Sequence, residues 1–535
     1  MTFSDCNIYV DPRACIACGD CVERCLLDNL RLSLSPCRSA CPLEMNCQGY
    51  IRLIAQGREE EAAQVMSQGS AFAEILGRVC HHPCELACQR RQEDGEAVNV
   101  RALKRYLAER HPHIANRPLE AGPEKGKAAA IVGSGPAGLE AAWALRAQGY
   151  GVTVYESDPE PGGLLRYGIP AFRLPAQVVD EAVDRLAAAG VDFRTGAAVG
   201  REVDLEQLRR EHDAVILALG SGQAAELDIP GREQKGVIQA LDLLRDSRMG
   251  RTLPLGARAL VIGGGNTAVD AAMICRLSGA EDVTIACLEA QPEMPAFARE
   301  VSEALEIGVK LEPGWGPVQV SPCDKGGLKM EMACCRSVYD AGGAFRPQFD
   351  DRLRLDLEAE TVVLAIGQQP LNEGWLAGLQ DEASGRLAAS GLTLQSPRAE
   401  DLFVCGDVHS GPSSAVEAMA SGRRAAVSAG RYMAGEGLRW GRDPLGDISV
   451  QEFQPNPEVG SPDTRLEPGR LPPKERSLVK EVESAFTEDQ AVQEARRCLS
   501  CGRAFEANQA CWFCLPCEID CPTQALEVRM PYLLR

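Results

Sequence analysis

Two glycine-rich loops constrain the fold of this 535-residue chain more than any other feature. The first begins at Gly133 and the second at Gly263, 130 residues later, and each joins a short apolar run to a segment of helical character. A Gly-x-Gly-x-x-Gly or Gly-x-Gly-x-x-Ala loop in that setting lets the backbone approach a pyrophosphate, which lies at the positive end of the helix. The sequence therefore predicts an α/β chain with two Rossmann-like nucleotide-binding domains.

The first unit has the features of a flavin site. Its second strand is expected at 151–155 and leads to Glu156, 23 residues after Gly133. A carboxylate at that position accepts hydrogen bonds from a ribose diol, as a dinucleotide site requires. We therefore expect this unit to bind the adenine-dinucleotide part of FAD. The loop residues predicted to contact the cofactor are Gly133, Gly135, Pro136, Ala137 and Gly138.

The second unit is the predicted nicotinamide domain, and it interrupts the flavin domain, which resumes at 402–407. Its next strand, 283–289, ends in Glu289. That carboxylate can accept hydrogen bonds from the free ribose hydroxyls of NADH but would repel a 2′-phosphate. We predict NADH over NADPH, and a solvated surface acid is the alternative interpretation of Glu289. The predicted contact residues are Gly263, Gly265, Asn266, Thr267 and Glu289.

The composition disfavours nucleic acid and membranes as partners. The formal net charge is −20, which argues against binding to nucleic acid or to an anionic membrane surface. No apolar run approaches the roughly 18 residues of a membrane span, and the first residues lack the segments of a secretory signal. We therefore expect a cytoplasmic protein.

Cysteines are concentrated at the two ends of the chain. Of 23, eleven lie between Cys6 and Cys88 and six between Cys498 and Cys521. In a chain expected in a reducing compartment, closely spaced cysteines indicate metal ligation before disulfides. Each end carries the Cys-x-x-Cys-x-x-Cys-x-x-x-Cys run of bacterial [4Fe–4S] ferredoxins. These cysteines are Cys15, Cys18, Cys21 and Cys25, and Cys511, Cys514, Cys517 and Cys521.

Zinc is the alternative for these runs, but Cys₄ zinc sites normally use two separated Cys-x-x-Cys pairs. Leu26 replaces the proline that usually follows the N-terminal run, whereas Pro522 follows the C-terminal one. In two-cluster ferredoxins the fourth cysteine of each run ligates the other run's cluster. The two ends are therefore expected to form one ferredoxin-like fold, with two separate single-cluster modules as the alternative.

The segment between the first run and the flavin loop is expected to be helical, near 48–67 and 99–110, and contains six more cysteines. The local spacing leaves both of its groups incomplete, because one has two ligands and the other three. Cys47 is the nearest candidate for a missing ligand, and an ordinary small buried residue is the alternative. These cysteines are Cys37 and Cys41, then Cys47, then Cys80, Cys84 and Cys88.

The run 36–107, joined to the flavin loop, resembles the small subunit of bacterial glutamate synthase and the N-terminal half of dihydropyrimidine dehydrogenase. The resemblance covers about residues 36–435. It implies a helical domain with two [4Fe–4S] clusters ahead of domains for FAD and NADPH. NADPH-using relatives carry arginines at the strand end that here reads Leu288-Glu289, which supports the predicted preference for NADH.

The resemblance also implies ligands. The family's Arg-Cys-Leu-x-Cys segment is missing upstream of Cys37, and its match lies at 497–501. The tail is therefore expected to fold back, so that two cysteines from it complete the cluster of Cys37 and Cys41. Lys104 stands where some relatives have a Gln or Glu ligand, and its protonated amine has no lone pair to donate, which strengthens Cys47 as ligand. The tail cysteines of this set are Cys498 and Cys501.

By the same resemblance, the loop 161–170, with Gly162 and Gly163, lies near the flavin. Asp407 is expected on the ribityl chain, and a helix over 413–424 is expected to begin by the isoalloxazine. A disulfide substrate is disfavoured, because Cys405 and the adjacent pair 334–335 do not form the redox disulfide of thioredoxin-reductase-type enzymes. Seven cysteines have no predicted role: Cys6, Cys275, Cys287, Cys323, Cys334, Cys335 and Cys405.

The predicted architecture has seven regions along the chain. They are a ferredoxin-like segment (1–35), a helical iron–sulfur domain (36–120), the first segment of the FAD domain (121–250), the NAD(H) domain (251–370), the second segment of the FAD domain (371–435), a linker with a short helix (436–497) and a C-terminal iron–sulfur segment (498–535).

These regions predict an oxidoreductase subunit that exchanges hydride between NAD(H) and FAD. Single electrons would then pass through about four [4Fe–4S] clusters, to or from a partner oxidoreductase or ferredoxin. No catalytic acid or base is assigned. The alternatives are an NADPH-dependent glutamate synthase small subunit and an electron-wiring scaffold that does not bind nicotinamide.

Overall fold

The computed structural model describes residues 7–323, 326–369, 371, 373–442, 459–506 and 511–529. A small segment comes first, made of β1 (Ile8–Val10), α1 (Asp20–Glu23) and β2 (Leu30–Ser33). Its two strands do not pair with each other. Their partners come from the other end of the chain.

A helical domain follows. Its elements are α2 (Pro36–Ser39), α3 (Cys47–Ala55), α4 (Glu59–Gly69), α5 (Ala73–Val79), α6 (Pro83–Leu86), α7 (Gln89–Asp94), α8 (Val100–Arg110) and α9 (Pro112–Ala115). The side chains of Asn46 and Asn99 cap α3 and α8 by accepting hydrogen bonds from first-turn N–H groups. The expected helix over 48–67 is two helices, because the chain turns at Gly57 with a φ of 73°.

The FAD domain begins with a strand–loop–helix unit. Its elements are β3 (Ala128–Val132), α10 (Pro136–Ala147), β4 (Gly151–Tyr155), α11 (Leu164–Tyr167), α12 (Ala176–Ala188), β5 (Val191–Arg194), α13 (Leu205–Glu211), β6 (Ala214–Leu217) and β7 (Gln223–Ala224). The strands β3, β4, β5 and β6 run parallel. β3 is a continuous run of small and β-branched residues because helices cover both faces of a parallel sheet.

The NAD domain has its own five-stranded sheet, β11-β10-β9-β15-β8, and an antiparallel sheet, β12-β13-β14. The elements are β8 (Val237–Gln239), α14 (Ala240–Arg248), β9 (Arg258–Ile262), α15 (Asn266–Leu277), β10 (Asp282–Cys287), α16 (Ala298–Glu306), β11 (Lys310–Pro313), β12 (Trp315–Pro322), β13 (Leu328–Tyr339), β14 (Phe345–Ala359) and β15 (Thr361–Leu364). The predicted boundary at 250/251 is too late, because β8 pairs with β15. β8 has only three half-buried residues and so lacks the apolar signal of a central strand.

The chain then returns to the first domain with β16 (Gln368–Gln369), β17 (Leu402–Val404), α17 (Asp407–Ser410) and α18 (Ala415–Ala434). β17 pairs with β6 and completes the sheet β17-β6-β3-β4-β5. This confirms a flavin domain interrupted by a nicotinamide domain. α18 begins with a capping box of Ser414 and Glu417 and extends ten residues beyond the expected end at 424.

The C-terminal region contains α19 (Glu488–Arg496), β18 (Arg503–Glu506), α20 (Pro516–Ile519) and β19 (Leu526–Val528). β19 pairs with β1 and β18 pairs with β2, both antiparallel. Ile8 and Leu30 are buried together with Ala504 and Leu526 in one small core. The two ends of the chain therefore form one ferredoxin-like fold, as expected, rather than two separate modules.

The predicted linker with a short helix, 436–497, is described only in part, since 443–458 lie outside the described residues. Residues 459–486 contact all three main domains. The N–H of Val482 donates to the carbonyl of Phe172 in the FAD domain at 2.9 Å. Glu483 forms ion pairs with Arg101 (2.8 Å) and with Arg299. In the described stretches of the chain, no helix combines the length and apolarity that crossing a membrane requires.

Candidate cofactor and electron-transfer site

A cavity of about 660 Å³ is lined by both nucleotide-binding units and by Arg78, Val79 and Arg105 of the helical domain. It is therefore the point where the three main domains of the molecule meet. The predicted cofactor residues that line it are Gly133, Gly135, Pro136, Ala137, Glu156, Gly163, Asn266, Thr267 and Asp407. Those outside its lining are Gly138, Gly162, Gly263, Gly265 and Glu289.

The first glycine loop has the shape that a pyrophosphate needs. Gly133 has a φ of 101°, and a Cβ there would lie 2.4 Å from the carbonyl oxygen of Ala218. A Cβ on Gly138 would lie 2.0 Å from the carbonyl oxygen of Gly133, so α10 packs directly on the loop. Around Gly135, by contrast, a Cβ would meet no atom within 4 Å. The loop is fixed on the protein side and open where the cofactor's phosphates would approach.

Glu156 holds this loop against the end of β4. Its carboxylate accepts hydrogen bonds from the N–H of Ser134 at 2.9 Å and from the Ser134 hydroxyl at 2.5 Å. The other carboxylate oxygen accepts from the N–H of Asp158 at 2.8 Å. The Ser157 hydroxyl donates to that same oxygen at 3.1 Å. These four donors fill the roughly four acceptor positions of a carboxylate, so a ribose hydroxyl would bind Glu156 only by displacing one of the two serine hydroxyls. The ribose contact of Glu156 stays a prediction.

The loop 161–170 and the residues after β17 line the same cavity as the first glycine loop. The N–H of Gly162 donates to the hydroxyl of Ser134 at 2.9 Å, and a Cβ on Gly163 would lie 2.8 Å from the Cα of Gly135. Asp407 follows β17 and accepts a hydrogen bond from the Ser413 hydroxyl at 2.7 Å. Burial raises the pKa of Asp407.

The second glycine loop has a backbone geometry similar to that of the first. Gly263 has a φ of 140°, and a Cβ on Gly265 would meet nothing within 4 Å. A Cβ on Gly264 would lie 2.5 Å from Oε2 of Glu289, so the carboxylate lies directly against the loop. Asn266 starts α15 and accepts a hydrogen bond from the N–H of Phe297 at 2.9 Å.

The cavity also has a buried ionic group that the sequence motifs did not indicate. Arg173 pairs with Asp270 and lies 3.3 Å from both Glu300 and Glu303. Burial raises the pKa of Glu300 to about 7, and its Oε2 has no hydrogen-bond partner in the described structure. In the sequence, Arg173 follows the loop 161–170 and stands two residues before Pro175. That pattern by itself indicates only a turn and gives no sign of an ionic group.

The terminal cysteines form two mixed sets. A small cavity is lined by the first three cysteines of the N-terminal run together with Cys521 of the C-terminal run. Electrostatic interactions likewise link Cys25 to Cys511 and Cys517. This exchange of the fourth cysteine is the two-cluster ferredoxin arrangement. The sets are Cys15, Cys18, Cys21 and Cys521, and Cys25, Cys511, Cys514 and Cys517.

These thiols would not ionise unaided. Burial, with repulsion from neighbouring cysteines, raises the pKa of Cys18 to about 11 and that of Cys21 to about 12. Cluster iron binds thiolate and releases the proton. The raised pKa values describe the sites without iron, and the four thiol groups that each set brings together are the donors that a [4Fe–4S] cluster requires.

In the helical domain the cysteines divide differently from the expected pairing. Lys104 interacts electrostatically with Cys80, Cys84, Cys47 and Cys41. Cys501 instead interacts with the other tail cysteine and with Cys88. These contacts favour an exchange of Cys41 and Cys88 between the expected sets, because spacing along a chain does not reveal which side of a helix turn faces which set. The sets are then Cys37, Cys88, Cys498 and Cys501, and Cys41, Cys47, Cys80 and Cys84.

Cys47 lies where these two sets meet. Its thiol is within hydrogen-bonding reach of Cys37 and Cys84, and those bonds hold the pKa of Cys47 well below its usual range. Burial works against the charge of Lys104, but the surrounding cysteines together raise the pKa of Lys104. A thiolate at Cys47 is thus stabilised, as a ligand needs.

Two family profiles match this chain, one over the nucleotide-binding domains and one over the N-terminal iron–sulfur region. The sequence profile of pyridine nucleotide-disulphide oxidoreductases matches residues 127–422. The chain belongs to that family. The profile of the 4Fe-4S domain II of dihydropyrimidine dehydrogenase matches residues 7–115. This family member is an FAD- and NAD(P)-dependent iron–sulfur oxidoreductase, as the resemblance implied.

Three curated relatives align with most of this chain. The beta subunit of an NADPH-Fe(3+) oxidoreductase from Geobacter sulfurreducens is 32% identical over 508 residues, covering 88% of this chain and 75% of the relative. The beta subunit of an NADP(+)-dependent formate dehydrogenase from Moorella thermoacetica is 33% identical, covering 88% and 71%. The small chain of glutamate synthase [NADPH] from Escherichia coli is 31% identical, covering 79% and 91%.

A solved structure supports the fold of the nucleotide-binding domains. FprA from Mycobacterium tuberculosis, in complex with NADPH, superposes with a TM-score of 0.51 at 19% identity, covering 59% of this chain and 85% of that one. This likeness concerns the fold alone.

Proposed function

We propose that this family member is an NADH-linked electron-transfer subunit. It exchanges hydride with NADH at the shared cavity and single electrons with a partner redox protein at the ferredoxin-like end. FAD, when bound, accepts hydride from nicotinamide and releases electrons one at a time. The residues of the chain hold the cofactors, exclude water and provide the route between them.

The observation that carries this proposal is a continuous series of cysteine sets from the cavity to the surface. Val79 lines the cavity, and the next residue, Cys80, belongs to the set around Lys104. Contacts of Cys47 with Cys37 link that set to the one that includes the tail cysteines.

The second half of the series follows the tail. Cys501 leads directly into β18, which pairs with β2 in the ferredoxin-like fold. A guanidinium N–H of Arg38, beside Cys37, donates to the carbonyl of Ala17, beside Cys18, at 3.1 Å. The last set ends at Cys514, whose side chain is exposed. A route that ends at an exposed ligand supports electron exchange with another protein.

The choice of NADH rests on Glu289. Its carboxylate lies against the glycine loop of the NAD domain, where it can accept hydrogen bonds from free ribose hydroxyls and repels a 2′-phosphate. NADPH is the second candidate, because the Geobacter, Moorella and Escherichia coli relatives are named for NADPH or NADP(+). The partner is proposed to be an oxidoreductase subunit or a ferredoxin.

An anaerobic titration tests the proposal. The holoprotein is mixed with NADH and, separately, with NADPH while flavin and cluster absorbance are followed. We expect NADH to bleach both at far lower concentration than NADPH. A preference for NADPH would overturn the role of Glu289, and reduction by dithionite alone would favour a scaffold that does not use nicotinamide.

Iron content tests the cluster count in the same preparation. Four cubane clusters require about 16 iron atoms per chain. A value near 8 would contradict the two clusters proposed in the ferredoxin-like fold, but it would agree with the two clusters proposed in the helical domain.

A further inference from the structure

A group of metal-binding side chains lies outside the cavity and the cysteine sets. Ligand atoms of Glu60, His111 and His113 are all within 4.8 Å of one another. Glu60 is in the first turn of α4, His111 joins α8 to α9, and His113 is in α9. The group therefore connects α4 to the point where the chain leaves the helical domain for the FAD domain.

The three consecutive glutamates that begin α4 have different surroundings. Glu59 accepts a hydrogen bond from the Tyr106 hydroxyl at 2.6 Å. Glu61 forms an ion pair with Arg58 at 2.5 Å. Glu60, between them, has neither a hydrogen bond nor an ion pair among the described residues. Its carboxylate lies beside both imidazoles.

Glu59 also orients one of those imidazoles. Nε2 of His111 lies 3.0 Å from Oε2 of Glu59. A carboxylate only accepts, so Nε2 carries the proton and donates, which leaves the Nδ1 lone pair free. A carboxylate that holds the second nitrogen of a histidine is the usual support of a metal-ligating imidazole, because it fixes the tautomer and the ring orientation. The Tyr106 hydroxyl in turn holds Glu59.

We propose that Glu60, His111 and His113 bind one divalent transition-metal ion, with Zn²⁺ as the best chemical match. Two imidazoles and a carboxylate suit Zn²⁺, whereas Mg²⁺ and Ca²⁺ favour oxygen ligands. Three protein ligands leave a fourth tetrahedral position for water. The ion would fasten α9 to α4 and stabilise the exit from the helical domain, since a ligand that binds only the folded state stabilises it.

Calorimetry of the cluster-loaded protein with ZnCl₂ tests the site. The protein is first passed anaerobically over a column with EDTA, and iron content is measured to confirm that the clusters remain. We expect one Zn²⁺ per chain, with affinity at least tenfold weaker in Glu60→Gln and in His113→Ala. Glu59→Gln, which removes the supporting carboxylate, should weaken binding by about 10- to 100-fold.

Glu61→Gln is the matched control, because it removes the same charge one residue away. We expect it to bind Zn²⁺ as the parent does, and equal losses in Glu60→Gln and Glu61→Gln would overturn ligation in favour of a general acidic field. Zinc X-ray absorption gives an independent test. Nitrogen and oxygen neighbours near 2.0–2.1 Å are expected. Sulfur neighbours at about 2.3 Å would overturn the proposal, because they would show that zinc binds cysteines that have lost their iron.

Discussion

At the scale of single residues, Lys104 is a buried cation among cysteines. It is 3% exposed and faces four cysteines, and no carboxylate forms an ion pair with it among the described residues. A buried positive charge beside a cluster favours the reduced form, because reduction adds a negative charge that the ammonium attracts.

We therefore expect Lys104→Met to lower the midpoint potential of one cluster. A tenfold change in a one-electron equilibrium corresponds to about 59 mV, and a shift of that order is expected. A redox titration followed by electron paramagnetic resonance measures it. Lys104→Arg keeps the charge and should leave the potential close to that of the parent, so equal shifts in both variants would count against the charge effect.

Glu289 gives the second residue-scale prediction. Glu289→Arg replaces an acceptor for ribose hydroxyls with a partner for a 2′-phosphate. We expect the ratio of kcat/KM for NADH and NADPH to move toward NADPH by roughly 10- to 150-fold, as loss of a charge-assisted hydrogen bond of about 1.5–3 kcal/mol implies. Glu293→Arg, at an exposed position nearby, is the control. An unchanged ratio in Glu289→Arg would show that Glu289 does not determine the preference between NADH and NADPH.

Residues held by local sequence could be predicted, and residues held by distant ones could not. The turns at Gly133 and Gly263 could be predicted because the motif itself requires their positive φ, although the carbonyl groups that leave no room for a Cβ belong to the distant Ala218 and Ala365. Arg173 is different, since its partners on α15 and α16 lie about 100 and 130 residues away. The exchange of Cys41 and Cys88 was missed for the same reason.

At the scale of elements, the pairing of β1 with β19 and of β2 with β18 joins the two ends of the chain into one fold. The cysteine spacing indicated this pairing through the ferredoxin pattern, although the four strands have only three or four residues each. Strands that short carry little sequence signal, as β8 also illustrates. Motif chemistry was the better guide where periodicity was weak.

Two double variants test whether the ends share clusters. If Cys521 belongs with the N-terminal run, Cys18→Ala with Cys521→Ala removes ligands of one cluster, and iron should fall from about 16 to about 12 atoms per chain. Cys514→Ala with Cys521→Ala then disables two clusters, and iron should fall to about 8. Separate modules would reverse the two values. Cys323→Ala, at a cysteine outside the four sets, should retain all the iron.

At the scale of the whole molecule, the cysteine sets lead away from the nicotinamide and flavin units toward one exposed end. Large apolar side chains are exposed there: Trp512 at 76%, Ile519 at 75% and Leu26 at 74%. Each lies within two residues of a cysteine of the set that ends at Cys514. Exposed apolar groups around a terminal electron-transfer site favour a protein partner over a small diffusible acceptor.

The charge of this end indicates the kind of partner. Although Asp28 pairs with Arg31, the described residues 7–35, 498–506 and 511–529 hold eight acidic and five basic side chains, and the chain as a whole has a formal charge of −20. Such a surface attracts a basic one-electron protein, and salt should weaken the attraction. Cytochrome c is a basic one-electron protein that can serve as a probe of this end.

Trp512→Ala should therefore slow NADH-driven reduction of cytochrome c several-fold while leaving the rate of flavin bleaching by NADH unchanged. The apolar contact is lost at the exit, whereas the cavity where hydride is exchanged is untouched. Stopped-flow absorbance measures both rates in one preparation. Trp440→Ala, which removes a tryptophan that is 84% exposed on the FAD domain after α18, should change neither. Equal rates of cytochrome c reduction in the two variants would mean that electrons leave the molecule elsewhere, for example directly from the cavity.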